Sequence, residues 1–199
     1  MKAIKSYISF LPAAYLHIDL WIAPLAIAAM TLIAADNIAM NIAMGFTVPI
    51  FYVIFQCVVE YVGFGGLCRK NNCNFDYVKT SARAKKYFTS VFTVDMIQKA
   101  IWYLGICVMV FRKFDDMMLG MYGLGLFFII LECFLTRLIS EMWWMFVIGG
   151  TTQIVYVLCV IFFYQFIVTY GIAFVIAAFI EAILVVYLCC RKVGKSYYA

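Results

Sequence analysis

Charged residues are scarce in this chain of 199 residues. They make up 13% of the sequence, whereas hydrophobic residues make up 67%. A soluble domain is about a quarter charged and roughly half apolar, and a fold of this length has no interior large enough to bury so much apolar surface. The composition therefore excludes an ordinary soluble domain and predicts an integral membrane protein.

Histidine and the common catalytic motifs are also scarce. His17 is the only histidine, and neither HExxH nor GxSxG appears. The segment Gly194-Lys195-Ser196 matches the end of a phosphate-binding loop, but Cys189 stands where that motif requires its first glycine. We therefore expect that this chain is not an enzyme and that it holds no catalytic residues, no metal ion and no nucleotide of its own.

The apolar residues form unbroken runs of the length that a membrane helix needs, about 20 residues. A transmembrane β-barrel would show short alternating segments instead. The sequence predicts an all-α membrane protein in which residues 1–199 form one transmembrane domain with six transmembrane helices. The predicted spans are approximately 15–35, 46–67, 94–111, 117–135, 143–163 and 171–190.

Residues 1–14 are predicted to include an interfacial elbow helix. At helical spacing, one face carries apolar side chains and the other carries lysine and serine. The apolar face is predicted to consist of Ile4, Tyr7, Ile8 and Leu11, and the polar face of Lys2, Lys5, Ser6 and Ser9.

The longest polar interval, residues 68–93, is predicted to be a cytoplasmic coupling loop. It holds six of the fifteen Lys and Arg residues: Arg69, Lys70, Lys79, Arg83, Lys85 and Lys86. Basic loops stay on the cytoplasmic side. This rule places both termini in the cytoplasm and leaves Arg112 and Lys113 outside. Basic residues at helix ends indicate topology and contact with lipid headgroups, not a nucleic-acid partner.

Acidic residues inside the spans are candidate functional groups, because an ionised side chain in lipid is costly. Glu60, Glu132 and Glu181 are candidate pathway residues, and Glu181 lies nearest to the middle of its span. A role in transport and a structural hydrogen bond between helices both remain open for Glu181. Asp95 and Lys99 are four residues apart and are predicted to pair on one helical face.

Glycines in the fourth span have a structural interpretation. Gly120, Gly123 and Gly125 are predicted to allow close helix packing, because small residues let backbones approach one another in membranes.

Residues 76–88, with the sequence DYVKTSARAKKYF, resemble the cytoplasmic segment between the second and third helices of type-2 ABC transporter permeases. That segment carries small residues with Ser or Thr, then Arg, a basic pair and an aromatic residue. Thr80 stands where the family commonly has proline. An amphipathic elbow, six spans, cytoplasmic ends and a coupling loop after span two also agree with the family.

The resemblance implies the permease subunit of an ATP-binding-cassette exporter in the plasma membrane. Such a subunit pairs with a second permease, in a homodimer or heterodimer, and a separate ATPase subunit binds ATP and Mg. Members of the small-permease group export amphipathic peptides such as phenol-soluble modulins, or serve bacteriocin-immunity systems. The implied substrate is a hydrophobic or amphipathic peptide or lipid.

The resemblance also implies two surfaces for the ATPase. The first consists of Lys79, Thr80, Ser81, Arg83, Lys85, Lys86, Tyr87 and Phe88. The second and smaller one is the 136–141 connection, with Arg137 and Glu141. Three alternatives stay open: a stand-alone membrane enzyme, a peptide-sequestering immunity protein, and a solvated basic loop that only sets topology.

Overall fold

The computed structural model describes residues 2–10, 13–22, 24–26, 28–29, 84–112, 114–138 and 142–195, and these residues are almost entirely helical. The helices are α1 (Lys2–Phe10), α2 (Ala13–His17), a π-helical turn (Ile18–Ile22), α3 (Ala84–Phe111), α4 (Asp116–Leu138), α5 (Met142–Thr169) and α6 (Gly171–Lys195).

Four of the described helices, α3 to α6, contain stretches long and apolar enough to cross a membrane. This finding supports the prediction of a helical, multi-pass membrane protein. Of the predicted first span, residues 15–22, 24–26 and 28–29 are described, whereas residues 30–35 and all of the second span lie outside the described residues. The total of six spans therefore stays a prediction.

Helix α3 begins earlier than the sequence predicted. The coupling loop was predicted to extend to residue 93, but residues 84–93 are the first turns of α3. With 28 residues, the helix is about 42 Å long at 1.5 Å per residue. A bilayer core is about 30 Å thick, so α3 is longer than the core is thick.

Two other boundaries also differ from the prediction. The connection predicted over 136–141 begins later, because Thr136 and Arg137 belong to α4. Helix α5 continues to Thr169 and does not end at residue 163. Its helical geometry is interrupted at Phe163, where φ is −117° and ψ is 21°. Beyond this interruption, Ile167 lies against Gly120 of α4.

A short turn joins α3 to α4 and makes them antiparallel. Arg112 ends α3 in the left-handed conformation, with φ of 56°. The Asp115 carboxylate then accepts a hydrogen bond from the backbone N–H of Met118 at 2.8 Å. An aspartate in this position caps the first turn of a helix, so the sequence specifies the start of α4 locally.

Helix α4 packs against α3, α5 and α6. A Cβ atom on Gly120 would lie 2.5 Å from the carbonyl oxygen of Ile167, and one on Gly123 would lie 2.5 Å from the backbone nitrogen of Val175. These distances confirm the predicted close packing. Gly171 lies against Gly120, so α4 and α6 run side by side in the same direction.

Helix α1 packs against the first half of α3. The Tyr7 hydroxyl donates a hydrogen bond to Gln98 Oε1 at 2.5 Å, and the Tyr87 hydroxyl donates one to the Ser6 carbonyl at 3.2 Å. Tyr7 is buried, but Ile4 and Ile8 are exposed. The predicted apolar face is thus divided between a protein contact and an outward-facing surface.

We call the end of the bundle where α3 begins and α4 ends the basic end. The residues Lys85, Lys86, Arg137 and Arg191 lie at this end.

Candidate functional site at the basic end

A buried ion cluster joins α3 to α4. Asp95 pairs with Lys99 one helical turn away and with Arg137 of α4. All three side chains are fully buried. The predicted pairing of Asp95 with Lys99 is therefore confirmed, and Arg137 is the member of the cluster that the sequence did not reveal.

The position of Arg137 corrects its predicted role. It was expected on an exposed connection, where a soluble partner could contact it. It is fully buried instead, and its guanidinium carbon lies 5.2 Å from the ring centroid of Phe92. A guanidinium suits such a site because it can bond a carboxylate and also rest on an aromatic face. Glu141, the other predicted contact, lies outside the described residues.

The ion cluster lies towards the basic end of the span. Asp95 is about 24 Å along the helix axis from Phe111, at 1.5 Å per residue. Removing one partner from a buried pair costs about 3–5 kcal/mol, because it leaves a buried charge uncompensated. The cluster therefore resists separation of α3 from α4 towards the basic end of both helices.

The two described candidate pathway residues lie in different surroundings. Glu132 is buried and accepts a hydrogen bond of 3.5 Å from Gln153 Nε2 on α5. Glu181 is half-buried on α6, on the helical stripe that continues from Phe174 and Ala178. Its Oε2 is buried and has no hydrogen-bond partner within the described part of the chain. Glu60 lies outside the described residues.

A polar stripe continues the ion cluster along α3. Asp95, Lys99, Tyr103 and Cys107 follow one another at intervals of four residues, and all are buried. Tyr103, Cys107 and Tyr156 line a cavity of about 10 Å³. The stripe was not predicted from the sequence, although its four-residue spacing is visible there.

Gly125 makes room for Tyr103. A Cβ atom at this position would lie 1.9 Å from the Tyr103 hydroxyl. The glycine of α4 thus permits the polar stripe of α3 to pack against the neighbouring backbone.

The predicted docking residues divide into exposed and buried groups. Lys85 and Lys86 are exposed, as a contact surface requires. Tyr87 is half-buried and bonded to α1, and Phe88 is buried. This corrects the prediction for Phe88, because a helix that begins at Ala84 turns that ring into the core. The remaining predicted residues, Lys79, Thr80, Ser81 and Arg83, lie outside the described residues.

Within the described ranges, no cluster of three or more His, Cys, Asp or Glu side chains could hold a metal ion. Comparisons of the chain with protein-family models, with curated proteins and with solved structures find no match. A functional assignment therefore rests on the residues of this chain.

Proposed function

We propose that this chain is the transmembrane permease subunit of an ATP-binding-cassette exporter, which moves a hydrophobic or amphipathic peptide or lipid out of the cell. A separate ATPase subunit docks on the basic segment that leads into α3 and supplies the energy. A second permease subunit completes the transport path.

The observation that carries this proposal is the continuity of α3. Residues 84–88 of the segment that resembles a coupling element form the start of α3, a single helix of 28 residues that ends at Phe111. The ion pair between Asp95 and Arg137 joins that helix to α4. A displacement of the basic segment would therefore move two spans together, which is the mechanical property that an ATP-driven subunit needs.

The exposed faces of α5 and α6 support the expectation of an apolar environment for the substrate. Large apolar side chains project outwards along both helices, including Phe162 and Ile183. Surfaces of this kind contact lipid, another membrane subunit, or an apolar substrate. They suit peptides or lipids better than sugars or ions.

Affinity purification from the native membrane in mild detergent tests the proposal. We expect a soluble ATPase in stoichiometric amount, identified by mass spectrometry. The double substitution Lys79→Glu with Arg83→Glu should lower its recovery by about tenfold, because charge reversal at an interface costs at least ~1.4 kcal/mol. Membrane insertion should not change.

The matched control is Lys2→Glu with Lys5→Glu, which reverses two exposed lysines on α1. Recovery of the ATPase should be normal in this control. A chain that purifies alone, even after crosslinking through Lys85 or Lys86, would contradict the exporter proposal and favour a stand-alone enzyme or a sequestering protein.

A further inference from the structure

An apolar groove opens on the outer surface of the bundle between α3 and α6, with α4 as its floor. Its volume is about 230 Å³. Its lining includes Thr93, Ile97 and Ala100 from α3, Ile130 from α4, and Ala182 and Ile183 from α6. The exposed polar surface of this groove is very small, so it offers a ligand mainly hydrocarbon contacts.

A second, wider depression of about 620 Å³ lies at the basic end of α3. Lys85, Lys86, Thr89 and Ser90 line it, and it continues to Thr93 and Ile97. Thr93 and Ile97 also line the apolar groove. The two spaces therefore adjoin each other on the protein surface, and we call them together the channel, with a basic, hydroxyl-rich mouth next to an apolar stem.

The two lysines of the mouth are available for a ligand. Among the ion pairs of the described residues, which join Asp95 to Lys99 and to Arg137, none includes Lys85 or Lys86. No acidic side chain lines either space. The mouth thus has the charge that attracts an anion, and the stem has the surface that accepts a hydrocarbon chain.

The depth of the channel fits a membrane lipid. Lys86 lies about 38 Å along the helix from Phe111, and Thr93 lies about 27 Å from it, at 1.5 Å per residue. A hydrocarbon core is about 30 Å thick, and the headgroup layers extend the bilayer to about 40–45 Å. With Phe111 placed at the far edge of the hydrocarbon core, the lysines reach the headgroup layer and Thr93 lies at the near edge.

We propose that this channel is a binding site for an anionic phospholipid. The phosphate is held at Lys85 and Lys86, and one acyl chain lies in the groove between α3 and α6. Charge complementarity favours this occupant over a neutral lipid. The narrow apolar stem favours an anionic phospholipid over a soluble anion, because a soluble anion has no acyl chain to fill the stem. The site goes beyond the proposed transport function and does not depend on it.

Titration of the purified full-length chain with phosphatidylglycerol, read by native mass spectrometry in mild detergent, tests the site. Phosphatidylcholine with the same acyl chains is the comparison ligand. We expect phosphatidylglycerol to bind more tightly. The double substitution Lys85→Gln with Lys86→Gln should weaken its binding about 30-fold, since each basic residue near an anionic lipid surface contributes about 1 kcal/mol. Binding of phosphatidylcholine should not change.

A second variant tests the stem. Thr93→Phe places a ring where the mouth meets the groove, at an exposed position, and it should weaken the binding of both lipids. Its matched control is Thr151→Phe, which introduces the same ring at another exposed threonine, on α5. The matched control for the lysine pair is Arg112→Gln, which removes a positive charge from an exposed residue at the other end of α3. Neither control should change lipid binding.

Equal binding of the two lipids, or unchanged binding after Lys85→Gln with Lys86→Gln, would overturn the proposal. Competition by glycerol 3-phosphate as strong as that by the lipid would also overturn it, because the acyl chain would then contribute nothing. If the Thr93→Phe variant does not fold, the Lys85→Gln with Lys86→Gln variant alone tests the proposal. Because the ATPase recovery experiment changes Lys79 and Arg83 instead, failure of either proposal is distinguishable from failure of the other.

Discussion

Helices α4 and α6 differ most in how far the protein itself covers them. Of their most apolar stretches, 72% of α4 is buried within the protein, but only 17% of α6. Their mean hydropathy has the opposite order, with 2.0 for α4 and 2.7 for α6. The more apolar helix is therefore the less buried one, which is the reverse of what a water-soluble fold would require.

The residues of the two helices explain the difference. Helix α4 contributes Gly120, Gly123 and Gly125, which permit close backbone approach, and the buried polar residues Glu132 and Arg137. Between membrane helices, small residues and polar contacts drive association, because lipid satisfies an apolar side chain as well as protein does. Polarity and small size, rather than hydrophobicity, therefore place α4 at the centre of the four described spans.

The largest expected effect comes from breaking the ion cluster. Asp95→Ala removes the carboxylate that both Lys99 and Arg137 contact, and should lower the free energy of unfolding by about 3–5 kcal/mol. Thermal unfolding in detergent, followed by circular dichroism, measures the loss. Asp116→Ala is the matched control, because this aspartate is exposed at the start of α4. Equal stability of the two variants would show that the cluster does not hold α3 to α4.

An intermediate effect is expected from enlarging the central helix. Gly123→Ala places a methyl group 2.5 Å from the backbone nitrogen of Val175, so α6 must shift. The cost of such overpacking is about 1–3 kcal/mol, measured by the same unfolding assay.

Gly150→Ala is the matched control for that substitution, since an added Cβ at Gly150 has no atom within 4 Å. It should be neutral or stabilise the helix, because alanine is the better helix former. Greater stability of Gly123→Ala than of Gly150→Ala would contradict the close packing of α4 and α6.

The smallest effect is expected on the outward face of α5. Phe162 is 73% exposed, so Phe162→Ala should change the free energy of unfolding by no more than about 0.5 kcal/mol in detergent. The same unfolding assay can be repeated on the chain purified together with a second membrane subunit, if one is retained in mild detergent. If Phe162→Ala lowers the free energy of unfolding in that complex but not in the isolated chain, another subunit covers this face of α5.

Local sequence patterns predicted much of the fold. Runs of apolar residues predicted four spans, each of which overlaps one of the helices α3, α4, α5 and α6. The four-residue spacing predicted the pairing of Asp95 with Lys99. Both succeed because a helix repeats at 3.6 residues, so spacing along the chain fixes which side chains share a face. The turn at Asp115 is local in the same way, since its carboxylate caps the next helix.

The site was less predictable. Arg137 was expected to be exposed because it lies near the end of an apolar run, where basic residues usually meet headgroups or water. Its partner Asp95 is 42 residues away in the chain, and no local pattern links the two. Phe88 was expected on a docking surface because residues 76–88 resemble a coupling segment, but the continuation of α3 turns its ring inwards.

The sequence by itself determined that this chain belongs in a membrane and where most of its described helices run, because hydropathy and helical periodicity are properties of adjacent residues. Only the tertiary structure decided that α4 is central, that Arg137 joins the ion cluster, and that the basic mouth at Lys85 and Lys86 opens into an apolar groove. Each of these depends on which helices come together, and that is decided by contacts between residues far apart in the chain.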